Sequence, residues 1–234
     1  ILMLHGFDSS FLEFRRIAPI LSNFNKVIIP DLHGFGFSPR PSKIDYGPEA
    51  IIFQLKEIIE KFIKEDNIGL IGASMGGAIA MELARLYPKR IKRILLLSPA
   101  GLTGKAKPIP PPLDRLGVCF LKQSWVRKAL CKQAFADPKS KVGASEEQIA
   151  SIHTNVSGWG ISLASFARSG GFGGLGEPLP KQYTQVIFGE NDNILKGIQM
   201  EESKKLFSKN LIILKNCGHL PHLDHPESVI KLWE

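Results

Sequence analysis

The sequence predicts an α/β protein: an open, mostly parallel sheet with flanking helices and an inserted helical cap. Three observations carry that expectation. Short apolar runs of strand length recur along the chain and alternate with stretches of helical spacing, the pattern of a parallel sheet covered by helices. The runs are β-branched or leucine-rich and bounded by Gly, Pro, Asp or Asn, as strands buried on both faces are. The alternation also fails in one place only, between Thr103 and Gln182.

In chain order, the expected strands are Ile1 to Leu4, Lys26 to Pro30, Ile68 to Ile71, Arg93 to Leu97, Thr184 to Phe188 and Leu211 to Leu214. Helical spacing fills Phe11 to Leu21, Pro48 to Asp66, Met75 to Tyr87, Met200 to Phe207 and Glu227 to Trp233. In the second of these, Ile51, Ile52, Leu55, Ile58, Ile59, Phe62 and Ile63 form one apolar stripe. The break opens with Pro108-Ile109-Pro110-Pro111-Pro112, carries helical pieces at Arg115 to Leu121, Ser124 to Phe135 and Glu146 to His153, and closes in glycines before Pro178 and Pro180. Residues 103–182 are therefore expected to form a lid inserted into a core made of residues 1–102 and 183–234.

Length and composition bound what such a protein can be. At 234 residues the chain suits one large domain or a core with an insertion, not two full domains. Apolar residues make up 44% and charged residues 22%, ordinary globular usage far from the disordered regime. Aliphatic runs such as Ile94 to Leu97 fall well short of the roughly 20 residues needed to cross a bilayer, and no signal peptide is expected in the sequence as given. The three cysteines, Cys119, Cys131 and Cys217, are an odd number at spacings that fit no zinc or disulfide framework, so a reducing cytoplasm is expected. Net charge is +8, and residues 103–182 hold 11 Lys/Arg against 5 Asp/Glu. These bases are scattered singly with few aromatics between them, which argues against nucleic acid and for a solvated basic face or an anionic substrate or surface. Gly171-Phe172-Gly173-Gly174-Leu175-Gly176 matches a dinucleotide-binding spacing, but it neither follows a strand nor opens a helix; a connection or hinge is the expected role.

The informative residues lie just past the strand ends, where ligands bind in open α/β sheets. Gly72-Ala73-Ser74-Met75-Gly76-Gly77 follows one strand and opens a small-residue helix, which is a nucleophile elbow. To project its hydroxyl, Ser74 needs a strained strand-to-helix turn, tolerated when the residues two before and two after are glycines. A serine needs a base, and the base an orienter. Asp192 follows one later strand in Gly189-Glu190-Asn191-Asp192, and His219 follows another in Asn216-Cys217-Gly218-His219-Leu220-Pro221, giving the Ser, Asp, His order associated with this elbow. Glu190 is the rival acid, disfavoured because Asp192 lies deeper in its loop. His222 and His225 are expected to be surface or helix-entry residues. Oxyanion donors are expected from the backbone N–H of Met75 and of Phe7, the latter in His5-Gly6-Phe7-Asp8, with His5 bracing that loop. Arg168, beside Phe166 and the glycine tract, is the candidate contact for a substrate carboxylate.

Together with Asp31-Leu32-His33-Gly34-Phe35-Gly36-Phe37-Ser38 and Gly218-His219-x-Pro221, these motifs resemble the α/β-hydrolase superfamily, in its branch with a helical cap, over essentially the whole chain. The resemblance implies an eight-stranded, mostly parallel sheet with the cap between the sixth and seventh strands, and this chain begins in what would be the third. Haloalkane dehalogenases and epoxide hydrolases of this fold carry aspartate at the elbow, so Ser74 argues against both. The expected activity is a serine hydrolase that cleaves an ester or related acyl bond of a small molecule through an acyl-enzyme, with no cofactor and no metal. A carbon–carbon bond hydrolase, a perhydrolase, or a small-molecule receptor with slow or no turnover are the alternatives.

Overall fold

A computed structural model describes residues 1–41, 43–195 and 197–234. Leu2–Leu4 (β1), Ile68–Ala73 (β2), Ile91–Leu97 (β3), Tyr183–Gly189 (β4) and Leu211–Leu214 (β5) pair in parallel in the order β1-β2-β3-β4-β5. Residues alternate between the faces as a pleated strand requires. Leu2, Leu4, Leu70, Ile94, Leu96 and Val186 join one buried cluster, while Met3, Ile71, Leu95, Leu97 and Ile187 join the other. The first face is covered by Pro48–Lys61 (α2), which buries Ile51, Leu55 and Ile59, and by Met75–Leu86 (α3). The second is covered by Phe14, Ile17 and Leu21, around the four-residue helix Ala18–Leu21 (α1), and by Pro226–Trp233 (α11). Both faces of the parallel sheet are thus shielded from water.

Two expected elements take another form. Lys26 to Pro30 is not a strand: it meets β1 through a single parallel bridge between Leu2 and Ile28. Met3 N–H donates to Ile28 O and Ile28 N–H to Ile1 O, each at 2.9 Å, and Pro30 has no N–H to extend a ladder along so short a partner. Phe11 to Leu21 is not one helix but a 3₁₀ turn over Phe11–Phe14 followed by α1. Pro19 explains the break, since inside a continuous helix its ring would meet the carbonyl four residues back. The chain leaves β1 toward Ile28 and returns through α2 to β2 on the opposite side of β1. That reversal places a crevice at the carboxyl end of β1, beside β2.

Between β3 and β4 lie Leu113–Leu121 (α4), Ser124–Gln133 (α5), Pro138–Lys141 (α6), Ala144–Ile149 (α7), a 3₁₀ turn at Ile152–Asn155 and Trp159–Ser169 (α8). Helix α8 is not among the expected elements: it buries Trp159, Leu163 and Phe166 at i, i+4 and i+7, but the Gly and Ser between them dilute that stripe. The glycine tract opens no helix. It runs back along the start of the insertion, where Leu175 N–H donates to Gly101 O (3.0 Å) and Gly176 N–H to Leu102 O (2.8 Å). Ile198–Phe207 (α9) and Pro221–Asp224 (α10) complete the described helices.

The C-terminal helix is seated by a close approach. Arg93 stacks on the Trp233 ring (4.8 Å to the centroid) and donates to Leu232 O (2.7 Å), and a Cβ on Gly69 would come within 2.5 Å of that ring. Gly69→Ala should therefore cost about 1–3 kcal/mol by overpacking. In a Trp233→Leu background the same change should cost measurably less in denaturant unfolding, a positive coupling in the double-mutant cycle.

Candidate active site

The turn after β2 is shaped by main-chain crowding. Ser74 has φ +50° and ψ −117°, a conformation that costs a non-glycine residue on the order of 1–3 kcal/mol. Three backbone hydrogen bonds hold it there: Ser74 N–H donates to Leu97 O, and Ser74 O accepts from Gly77 and Ala100 N–H, all at 2.9 Å. A Cβ on Gly72 would overlap the Gly76 carbonyl, and one on Gly76 would overlap the Leu4 carbonyl. The glycines two before and two after Ser74 are thus required by close approach to each other and to the end of β1.

The ends of β4 and β5 bring Asp192 and His219 together. His219 Nδ1–H donates to Asp192 Oδ2 at 2.8 Å, and Asp192 Oδ1 accepts from the N–H groups of Ile194 and Leu195, each at 2.9 Å. Burial pushes the Asp192 carboxyl up, but the hydrogen bond and charge of His219 outweigh it and hold it below the usual carboxylate range. Glu190 is exposed. His225 Nε2 bonds Asn216 O (2.8 Å) at the entry to α11. The surface reading of His222 is wrong. Its ring is fully buried against Phe14 (centroids 5.1 Å apart), with Nε2 3.5 Å from Glu13 Oε1, because α10 folds under the Phe11–Phe14 turn.

The loop after β1 closes the third side. Gly6 lets it approach, since a Cβ there would sit 3.3 Å from Ser74 Cβ. His5 is fully buried: Nδ1–H donates to Gly6 O (2.8 Å) and Nε2 accepts from Leu32 N–H (3.1 Å). These two bonds fix the neutral tautomer, and burial lowers its pKa. Both Glu13 carboxylate oxygens accept from Gly6 N–H at 3.2 Å. Among the described residues, the N–H groups of Phe7 and Met75 donate to no protein acceptor.

Sequence reasoning missed the residue after Phe7. Asp8 is buried at φ +50°. Its Oδ1 accepts from Trp159 Nε1–H (2.8 Å) and lies 3.1 Å from His153 Nε2, while Oδ2 pairs with Arg127. Burial pushes this carboxyl up, but the His153 hydrogen bond and the Arg127 charge hold it low. The only signal in the sequence was an acid directly behind an expected oxyanion donor; its partners are 119 to 151 residues away. Asp224 plays a similar part, accepting from Gly218 N–H (2.6 Å) beside His219 and from Ala136 N–H (3.0 Å).

Ser74, His219, Phe7, Glu13, Asp8 and Arg127 line one cavity of about 250 Å³, whose remaining walls include Leu121, Leu130, Ala134, Ile194 and Leu220. Arg168 is not part of it. Its guanidinium pairs with the buried Asp114 of α4 (2.6 Å), so the expectation of a substrate contact there is corrected: its carboxylate is internal. Among the described residues, no group of three or more His, Cys, Asp or Glu side chains converges to hold a metal ion, and no helix is long and apolar enough to cross a membrane.

Comparison with known proteins agrees with this fold. The sequence profile of the alpha/beta hydrolase family matches residues 1–232, and the chain belongs to that family. It is a hydrolytic enzyme by its relatives. It is similar to Lipase 3 of Moraxella sp. (strain TA144), 39% identical across 96% of this chain and 72% of the relative. It is also similar to 2-hydroxymuconate semialdehyde hydrolase of Pseudomonas sp. (strain CF600), 27% identical across 96% of this chain and 82% of the relative. The solved 2-hydroxy-6-oxo-6-phenylhexa-2,4-dienoate hydrolase of Rhodococcus sp. strain RHA1 shares the fold, with a TM-score of 0.81 at 21% identity over 99% of this chain and 88% of that one.

Removing the charge of Asp8 tests the clamp. Asp8→Asn should cost about 3–5 kcal/mol, as breaking a buried pair does when it strands Arg127. Because the folded carboxyl is held low, its stabilisation is present above the unfolded carboxylate value of about 4 and lost as pH falls below it. Denaturant unfolding of the variant should lack that part of the acid dependence.

Proposed function

We propose that this protein is a serine hydrolase that cleaves neutral carboxylic esters with an apolar acyl group, with Ser74 as nucleophile, His219 as base and Asp192 as its orienter. The observation that carries the reading is Ser74 on its strained turn in a cavity shared with a His219 whose Nδ1 is bound to a buried carboxylate. The Ser74 hydroxyl attacks the ester carbonyl carbon while its proton passes to His219 Nε2, and Asp192 stabilises the imidazolium. The unpartnered N–H groups of Phe7 and Met75 receive the developing oxyanion. Collapse expels the alcohol, protonated by His219, and leaves Ser74 acylated. Water, deprotonated by His219, then attacks the acyl carbon and releases the carboxylic acid with Ser74 restored.

The helices between β3 and β4, within residues 103–182, serve as a cap over this cavity, with Leu121, Arg127, Leu130, Cys131, Ala134 and Ala150 as its contribution to the lining. The charge of that lining selects between acyl chemistries. Arg127 is neutralised by Asp8, Glu13 adds an acid, and among the described lining residues no cation stands unpaired. A dienoate, the kind of substrate named for one of the similar hydrolases, would bring a carboxylate into a site that offers it no free cation. Three thiols, none of them paired, support a reducing compartment such as the cytoplasm.

Two measurements check this proposal. Ser74→Ala should lower kcat by about 10⁶ on a short p-nitrophenyl ester and abolish labelling by a fluorophosphonate. Asp192→Asn should cost about 10⁴, and the exposed Glu190→Gln far less; retention of a tenth of the activity by Ser74→Ala would end the serine reading. With a neutral ester and its carboxylate-bearing isostere, kcat/KM should favour the neutral one. The reverse preference, or turnover of a vinylogous diketone acid in place of the ester, would move the assignment to carbon–carbon hydrolysis.

A further inference from the structure

Helix α4 carries a second apolar face that its own protein does not cover. Its inward positions are Asp114, Val118 and Leu121, spaced i, i+4, i+7, and they face α8 and the cavity. Leu113, Leu116 and Phe120, spaced i, i+3, i+7, share the opposite side. Leu116 is 60% and Phe120 53% exposed. At the start of α5 the indole of Trp125, 64% exposed, stands edge-on to Phe120 with centroids 5.5 Å apart. The result is one outward apolar ridge spanning two helices. The same two helices carry exposed Arg115, Lys122, Lys128 and Lys132; Lys128 and Lys132 share one acid, Glu147, and among the described residues Arg115 and Lys122 form no ion pair.

We propose that this ridge docks the protein on an anionic phospholipid surface, with Leu113, Leu116, Phe120 and Trp125 entering the headgroup and acyl boundary and the flanking bases meeting lipid phosphates. An apolar helix face set in a rim of Lys and Arg, with Trp at its edge, is what the interface of a charged bilayer accepts. Charge decides between this occupant and a second copy of the chain. Two copies placed ridge to ridge would bring the same basic rims together at a cost, whereas an anionic leaflet gains about 1 kcal/mol per base. The geometry also gives docking a use. The inner faces of α4 and α5 supply Leu121 and Leu130 to the cavity that holds Ser74, so the lipid surface would lie one helix diameter, about 10 Å, from the candidate site. Docking requires none of the chemistry assigned to Ser74, so Ser74→Ala protein should bind membranes like the parent, and the two readings fail separately.

The test is cosedimentation with vesicles of phosphatidylcholine alone and of phosphatidylcholine mixed with phosphatidylglycerol. Binding should be found on the mixed vesicles and should weaken with salt. Leu116→Gln/Phe120→Gln should reduce it at least about tenfold with little change in thermal midpoint, since more than half of each side chain is already in water. Arg115→Gln and Lys122→Gln should each reduce it about fivefold. The protein carries its own reporter: Trp159 and Trp233 are 4% and 8% exposed. A blue shift of tryptophan emission with mixed vesicles, absent in Trp125→Phe, would place the bound lipid at the ridge. The proposal is overturned if neither vesicle binds, if Leu116→Gln/Phe120→Gln binds like the parent, if Trp125 emission is unchanged in the bound protein, or if the ridge is instead occupied in a lipid-free dimer that the same double variant dissociates.

Discussion

Everything at the carboxyl edge of the sheet depends on how closely three stretches of main chain can approach one another. Gly76 lies against the Leu4 carbonyl, Gly72 against the Gly76 carbonyl, and Gly6 against Ser74 itself. At Gly72 and Gly76 there is no room for a side chain, and at Gly6 one would press on Ser74. The positive φ of Ser74 is the conformational cost of that packing, and the three backbone hydrogen bonds around it leave it no cheaper conformation to relax into. With β1, β2 and the start of α3 locked together, the loop after β1 brings Phe7 to the cavity that Ser74 lines.

Carboxylates do the rest of the fastening, each by accepting main-chain N–H groups from a loop. Asp192 takes Ile194 and Leu195, Glu13 takes Gly6, Asp224 takes Gly218 and Ala136, and Asp31 takes Phe11 (2.7 Å) and Phe37 (3.0 Å). A carboxylate can hold two or more donors at once in fixed directions, which suits loops that have no ladder to hold them. Asp192 and Asp8 also meet a cation or imidazole from elsewhere in the chain, so burial does not neutralise them. The dipoles around the cavity are therefore set before any ligand enters, the condition under which fixed donors act most strongly on a developing charge.

The legibility of these features in the sequence follows their range. Ser74, its flanking glycines and the start of the helix after it lie within six residues, so spacing alone finds them. Asp192 and His219 are legible because each follows a strand closely, and the strands are marked by their own composition. Lys26 to Pro30 had that composition too, but whether a strand forms is decided by its partner, and β1 offers only three residues. Pro19 was a local signal that the apolar spacing around it overrode. Helix α8 was hidden because Gly160, Ser162 and Ser165 interrupt its stripe, and each has a tertiary reason, Ser165 donating to Asp45 Oδ1 (3.0 Å). Gly160 allows contact with Val118 of α4, and Ser162 hydrogen-bonds Gly34 O (2.8 Å). The partners of Asp8 and Arg168 are 54 to 151 residues away, a separation no periodicity reports.

Helix α4 shows where a periodicity argument gives the correct element and the wrong orientation. Its sequence supports a helix, and the helix exists. An apolar stripe normally marks the inward side, yet here the stripe of Leu113, Leu116 and Phe120 faces out and an aspartate faces in. The inward Asp114 is accommodated because Arg168, one helix away, supplies its counter-charge. Without that arginine the burial would be costly. The pairing of α4 with α8 therefore combines this ion pair and the Gly160–Val118 contact with the inward Val118 and Leu121. Packing against α8 uses Val118 and Leu121 and leaves more than half of Leu113, Leu116 and Phe120 in water.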